Sequence, residues 1–146
     1  MRVSTQFPIA VHAMLMISGF PELKMTSEIV AESAGCNAVI IRNIFAKLKN
    51  AELLITKSGK GKTELARPAK DISLWDIYSA VESEETDELF KFHTNTSPTC
   101  VVGSNIYDLL CPHLDNAVEA MKKELCKVSL DDLCRELYDK IKEKKQ

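Results

Sequence analysis

The sequence predicts a mainly α-helical chain with one small β-hairpin, and three observations carry that prediction. Residues 31–53, AESAGCNAVIIRNIFAKLKNAEL, place a glycine between two runs that both read as helix. Directly after them the helical period gives way to short β-rich pieces around a SGKGK tip. Residues 104–128 then repeat apolar positions at three and four over a span too long to pack only within a small monomer.

Composition bounds what these pieces can build. With 146 residues, 45% of them hydrophobic and 27% charged, the chain is one ordinary domain, or a small domain with an appendage, and it can bury a core. No apolar run approaches the roughly 18 residues of a membrane span. The start, MRVSTQFPIAVHAMLMISGF, lacks a small-residue cleavage site. The expectation is a cytoplasmic protein with no membrane contact. Five cysteines at irregular spacing argue for thiols rather than a disulfide frame. The net charge of -2 hides an asymmetry: residues 1–70 carry ten Lys/Arg against five acids, a balance of +5, which leaves -7 for the rest. Such halves suggest a polyanion-facing front and a different back, although asymmetry also arises by chance.

The first helix is expected from Pro8 to Gly19, with Ile9, Val11, His12, Leu15, Met16 and Ser18 on its pattern and Gly19 and Pro21 stopping it. A second begins at the N-cap Thr26, with Glu28 in its first turn, and ends at Gly35. A third runs from Asn37 to about Lys49 with Ile41, Ile44, Phe45 and Leu48 on one face. Ala31 supplies the small residue needed where two such helices cross, and Gly35 tolerates the positive φ of the turn. That spacing is the spacing of a helix-turn-helix, which another helical hairpin can also match.

The strands Leu54–Lys57 and Thr63–Ala66 around the tip read as a wing behind the third helix. Its glycines let the tip lie close to a backbone, and Lys57, Lys60 and Lys62 can each neutralise a phosphate; a solvated surface hairpin is the other reading. In SLWDIYSAVE, Trp75 and Tyr78 are expected to pack against the preceding elements. The long helix carries Ile106, Leu109, Leu110, Leu114, Val118, Met121 and Leu125 as a two-fold dimer stripe, or as an intramolecular core face. Pro112 is expected to break or kink it. Ser129, followed by Asp131 and Asp132, starts a last helix with Leu130, Leu133, Leu137 and Ile141 on its apolar side. The expected organisation is a winged helix-turn-helix domain at 1–82, a connecting loop at 83–103 and dimerisation helices at 104–146.

In a winged helix the third helix turns its solvent face to the major groove, so apolar residues there need not be core. Asn37, Ala38, Val39, Arg42, Asn43 and Lys47 are expected outward, with Ile40 at the boundary. Arg42 could pair with guanine, Asn43 with adenine, and Val39 or Ala38 with a thymine methyl. No enzyme motif survives inspection: glycine-rich phosphate loop, GxSxG, HExxH and CxxC are all missing from the sequence. A DNA-binding regulator therefore stands against a winged helix that serves a protein partner and has lost DNA.

The segments MRVSTQFPIAVHAMLMIS, TSEIVAESAGCNAVIIRNIFAKLKNAELL, ARPAKDISLWDIYSAVE and PTCVVGSNI, in this order, resemble the Rrf2 (Rrf-two) family of bacterial winged-helix transcription regulators. That family includes the iron-sulfur cluster regulator, the nitric-oxide-sensing repressor and the cysteine-metabolism repressor. The resemblance covers residues 1 to about 135. It implies a homodimer that binds a palindromic operator in double-stranded DNA and usually represses. It also implies that Arg2, Ser4, Thr5 and Gln6 touch the phosphate backbone. Many relatives carry a carboxylate near the position of Arg42, so this operator is expected to differ from theirs.

Cluster-binding relatives supply three closely spaced cysteines between the wing and the long helix. Here that region holds Cys100 and, eleven residues on, Cys111, with His93 nearby. The segment instead resembles the branch with one cysteine before VGxNI and a histidine in the preceding loop. No cofactor or metal site is therefore expected, an iron-sulfur cluster being the minor alternative. Cys100, His93 and Cys111 remain candidate redox or sensing residues. A thiol ahead of a helix N-terminus gains reactivity, and the competing reading makes Cys100 a buried structural cap. Cys36 is expected to be semi-buried, and Cys126 and Cys134 to sit among apolar neighbours.

Overall fold

The computed structural model describes residues 4–57, 61–82 and 89–145. Arg2 and Lys60 lie outside the described residues. Among the described residues six α-helices and one two-stranded hairpin follow in the order α1 (Gln6–Gly19), α2 (Ser27–Ala34), α3 (Ala38–Asn50), β1 (Leu54–Lys57), β2 (Lys62–Leu65), α4 (Leu74–Val81), α5 (Ile106–Cys126) and α6 (Leu130–Lys144). A 3-10 turn, Ala69–Asp71, links β2 to α4.

The corner between α2 and α3 forms as its residues dictate. The Thr26 side chain accepts the Ile29 N–H at 3.2 Å, and Asn37 accepts the Val39 N–H at 2.7 Å, so each helix starts on its own cap. Gly35 closes α2 in the left-handed region at φ 71°, where a side chain would be strained. The two axes then differ by 113°, within the range of a helix-turn-helix. Ile41, Ile44, Phe45 and Leu48 make the buried ridge of α3.

That ridge packs into one core with Ala10, Ala13, Met14 and Ile17 of α1, Val30 and Ala31 of α2, Leu53, Leu54, Ile72 and Ile77. On α1 the fully buried face differs from the expected one. Ile9, Val11, Leu15 and Met16 are only partly buried, because α1 is apolar almost all round and its small residues mark the side of closest approach. Tyr78 is buried, its ring edge-on to Phe7 and stacked with Trp75, as the packing of that segment required.

β1 and β2 pair antiparallel from Leu54 opposite Leu65 to Lys57 opposite Lys62. α5 is continuous: Pro112 lies inside it and does not break it. The ring removes only the hydrogen bond that would reach back one turn, a local loss the remaining ladder carries. The helix begins two residues later than Ser104, at Ile106, because Ser104 and Asn105 belong to a hydrogen-bonded turn. Leu109 is 63% exposed, whereas Ile106, Leu114, Val118, Met121 and Leu125 of the expected stripe are half-buried. At 3.6 residues per turn Leu109 lies one turn from Ile106 and about 60° round the helix from it, at the edge of that stripe.

α6 returns to the N-terminal body. Ser129 and Asp132 form a reciprocal capping box, and the Leu130 N–H donates to Ile72 O at 2.7 Å while the Leu74 N–H donates to Val128 O at 2.9 Å. Leu130 is fully buried in the common core. Cys134 is buried against Ser18, whereas Cys126, expected among apolar neighbours, is exposed.

Candidate nucleic-acid interface

α3 divides into two faces. Opposite its buried ridge, Val39, Ile40, Arg42, Asn43, Ala46, Lys49 and Asn50 are all exposed. Ile40, expected at the boundary, is 40% exposed, and Val39 is 53% exposed. Ala38 is partly buried and packs against the core, so it is less available than its neighbours. Asn37 is exposed, but its side-chain oxygen is committed to the helix cap. Arg42 donates from Nη2 to Glu28 Oε1 at 2.7 Å across the α2–α3 corner.

Lys47 departs from the expected arrangement. Its ammonium donates to Gln6 Oε1 at 2.8 Å and to the Val81 carbonyl at 3.3 Å. The residue therefore ties α3 to the start of α1 and the end of α4, on the flank of the helix rather than its outward face. Gln6 is correspondingly half-buried and occupied by Lys47. Ser4 and Thr5 are exposed; Ser4 Oγ bonds the Glu82 carboxylate, and Thr5 sits at the head of α1 without a side-chain cap.

The wing shows why its lysines are stable side by side. Lys57 and Lys62 face each other directly at the turn end of the hairpin, where like charges repel. Glu64 lies between them, 3.2 Å from Lys57 Nζ and 3.8 Å from Lys62 Nζ. A cleft of about 350 Å³ lies on the nearby surface, bounded by Glu28, Arg42, Lys49, Thr56 and Gly61. Sequence reasoning did not single out Lys49, whose place about two turns beyond Arg42 could have found it, nor Glu28 as a partner.

The sensing candidates fall into two places. Cys100 is exposed in the turn before α5, and its Sγ accepts the Gly103 N–H at 3.4 Å. Backbone N–H groups of Gly103 and Val102 hold its thiol below the usual range. The cause is a tight turn rather than a helix end; a side chain at Gly103 would meet Ser97 O at 3.1 Å. The buried-cap reading of Cys100 does not hold. Cys111 lies on α5 instead, in a cleft of about 560 Å³ with His93, Phe92, Tyr107 and Asp115. Its thiol donates to Asp115 Oδ2 at 3.7 Å.

A hairpin set behind the second helix of a helix-turn-helix, on a body closed by α4 and α6, defines the class of winged helix-turn-helix proteins. The family model described as "Rrf2: Iron-dependent Transcriptional regulator" matches residues 3–136. The chain belongs to the Rrf2 family and is a transcriptional regulator rather than an enzyme. It is 34% identical over 136 residues to YwnA of Bacillus subtilis (strain 168), named as an HTH-type transcriptional regulator, covering 93% of this chain and 99% of YwnA. A crystallised protein described as DNA binding superposes with a TM-score of 0.71 at 30% identity, covering 88% of this chain and 97% of that one. T. potens IscR shares the fold at a TM-score of 0.68 and 21% identity, over 94% of this chain and 88% of its own.

The iron of the family description can be tested against the donors present. Cys100 and Cys111 point into different surroundings, and among the described residues no three His, Cys, Asp or Glu side chains gather closely enough to hold an ion. The donor set does not fit an iron or iron-sulfur site. No single helix among the described residues is long and apolar enough to cross a membrane.

Proposed function

We propose that this regulator is a cytoplasmic homodimeric repressor that reads a palindromic operator in double-stranded DNA. The observation that carries the reading is the division of α3: four buried residues fix the helix, and an unbroken outward face presents Val39, Arg42 and Asn43. Arg42 matches the two acceptors of guanine and Asn43 the edge of adenine, while Val39 suits a thymine methyl. Lys57 and Lys62 of the wing, with Ser4 and Thr5 at the head of α1, would take phosphates and set the register. Lys47 and Gln6 act on this reading as a strut that holds α3 against α1.

Dimerisation is supported by α5, a helix of twenty-one residues of which none is buried. Leu110, Leu114, Val118, Met121 and Leu125 form its stripe. A second open apolar surface, a groove of about 620 Å³ lined by Phe7, Val11, Leu15, Leu133 and Leu137, lies between α1 and α6. Two-fold pairing would cover such surfaces and place two reading helices on one side of a duplex. Exposed Cys100, with its thiol held toward the thiolate, is the proposed site of a redox signal.

The experiment compares Arg42→Ala and Lys57→Ala by fluorescence anisotropy on an operator and on scrambled duplex. Arg42→Ala should lose discrimination at one operator position, and Lys57→Ala should weaken both duplexes and lower the salt slope by about one. Equal losses on both duplexes for both variants would refute the division of labour. For the signal, Cys100→Ser should make operator binding insensitive to oxidant, and an oxidant response that persists in it would move the signal elsewhere.

A further inference from the structure

The Arg42–Glu28 contact is an ion pair on the reading side of the corner, with 55% and 65% of the two side chains exposed. At that exposure an ion pair contributes little to folding. Its geometry matters for reading instead. A guanidinium is a planar fork of five N–H donors, and the Glu28 oxygen occupies Nη2 alone. Donors remain for the O6 and N7 acceptors of a guanine, so holding and reading do not compete for the same hydrogens. A side chain already held loses less rotamer freedom on binding.

Glu28 is itself held in place and in its charged form. It sits in the first turn of α2, and its carboxyl is kept below the usual range by a backbone N–H, then by Arg42 and by the Ser27 hydroxyl. Ser27 Oγ donates to its second oxygen at 3.2 Å. Both partners face the cleft shared by α2, α3 and the wing. A carboxylate there is repelled by any phosphate backbone, and a contact of Arg42 with a base offsets that repulsion only on duplexes that carry the base.

We propose that Glu28 is a specificity-determining positioning residue: it aims the Arg42 guanidinium at a guanine and weakens binding to duplexes that lack that base. The inference rests on α3 being the DNA-reading helix.

The test uses the full chain to enrich duplexes from a randomised pool. Wild type, Glu28→Gln, Arg42→Ala and the double variant are then titrated against the enriched duplex, each single base-pair change of it and a scrambled duplex, with thermal melts alongside. Glu28→Gln should lose roughly tenfold discrimination at the same base pair as Arg42→Ala, bind the scrambled duplex more tightly and melt with wild type. The double variant should discriminate no worse than Arg42→Ala alone. Unchanged discrimination in Glu28→Gln, a loss spread evenly over positions, or additive losses in the double variant would overturn the proposal. A pool from which wild type enriches nothing would overturn the DNA reading together with it, whereas enrichment with an unaltered Glu28→Gln overturns the positioning role alone.

Discussion

Of the thirteen residues of α3 four are buried in one ridge, while none of the twenty-one in α5 is buried, yet both helices expose aliphatic side chains. In α3 the ridge of Ile41, Ile44, Phe45 and Leu48 fixes the helix, so Val39 and Ile40 stand on a rigid outward face to which a ligand can come. α5 has no such anchor. Its stripe is half-covered by α4 and the segment at 89–94, and Leu110 within it stays 40% exposed. Exposed apolar surface on a fixed helix reads as a contact face, and on an unanchored one as an unfinished interface.

The comparison can be broken from either side. The largest effect belongs to the anchor: Ile44→Ala should cost about 2–5 kcal/mol of stability, measured by thermal or denaturant unfolding, because the side chain is fully buried and the ridge cannot close over the gap. Leu110→Glu should leave the unfolding of the winged body near wild type while sedimentation shifts from dimer to monomer, and operator affinity should fall by about a hundredfold as two half-sites lose their linkage. A dimer that survives this change would return α5 to the status of a core helix.

Smaller changes sharpen the boundary between the two regions. Ser129→Ala removes half of the capping box at the seam where α6 rejoins the body and should cost about 1 kcal/mol. The same variant should flatten the acid limb of stability. The Asp132 carboxyl is held below its ordinary 3.8, first by the Ser129 backbone N–H and then by its hydroxyl. Its contribution is present above the ordinary value and is lost as pH falls through the lowered one. The smallest expected effect is a gain. Glu52, after α3, holds a left-handed φ of 62° without being glycine, so Glu52→Gly should stabilise by about 0.5–1 kcal/mol in the same melts.

Local chemistry was legible wherever a residue decides its own neighbourhood. Thr26, Gly35 and Ser129 marked caps and turns, and the spacing of Ile41, Ile44, Phe45 and Leu48 marked the ridge. What escaped the sequence depends on partners distant along the chain. Lys47 looked outward by position but meets Gln6, forty-one residues away, and α1 offered no polar side from which its buried face could be told. Arg42 was visible as a base-reading residue, while its partner Glu28 lies fourteen residues earlier on another helix and appears only once the corner is closed.

The most direct test of the account is anisotropy of the wild-type protein against its own upstream DNA and a scrambled duplex over a series of salt concentrations. The account predicts selective binding whose logarithm falls steeply and linearly with the logarithm of salt, with a slope set by the phosphates that wing and N-terminus neutralise. Equal, weak and salt-independent binding to both duplexes would contradict it and leave the α3 face to a protein partner.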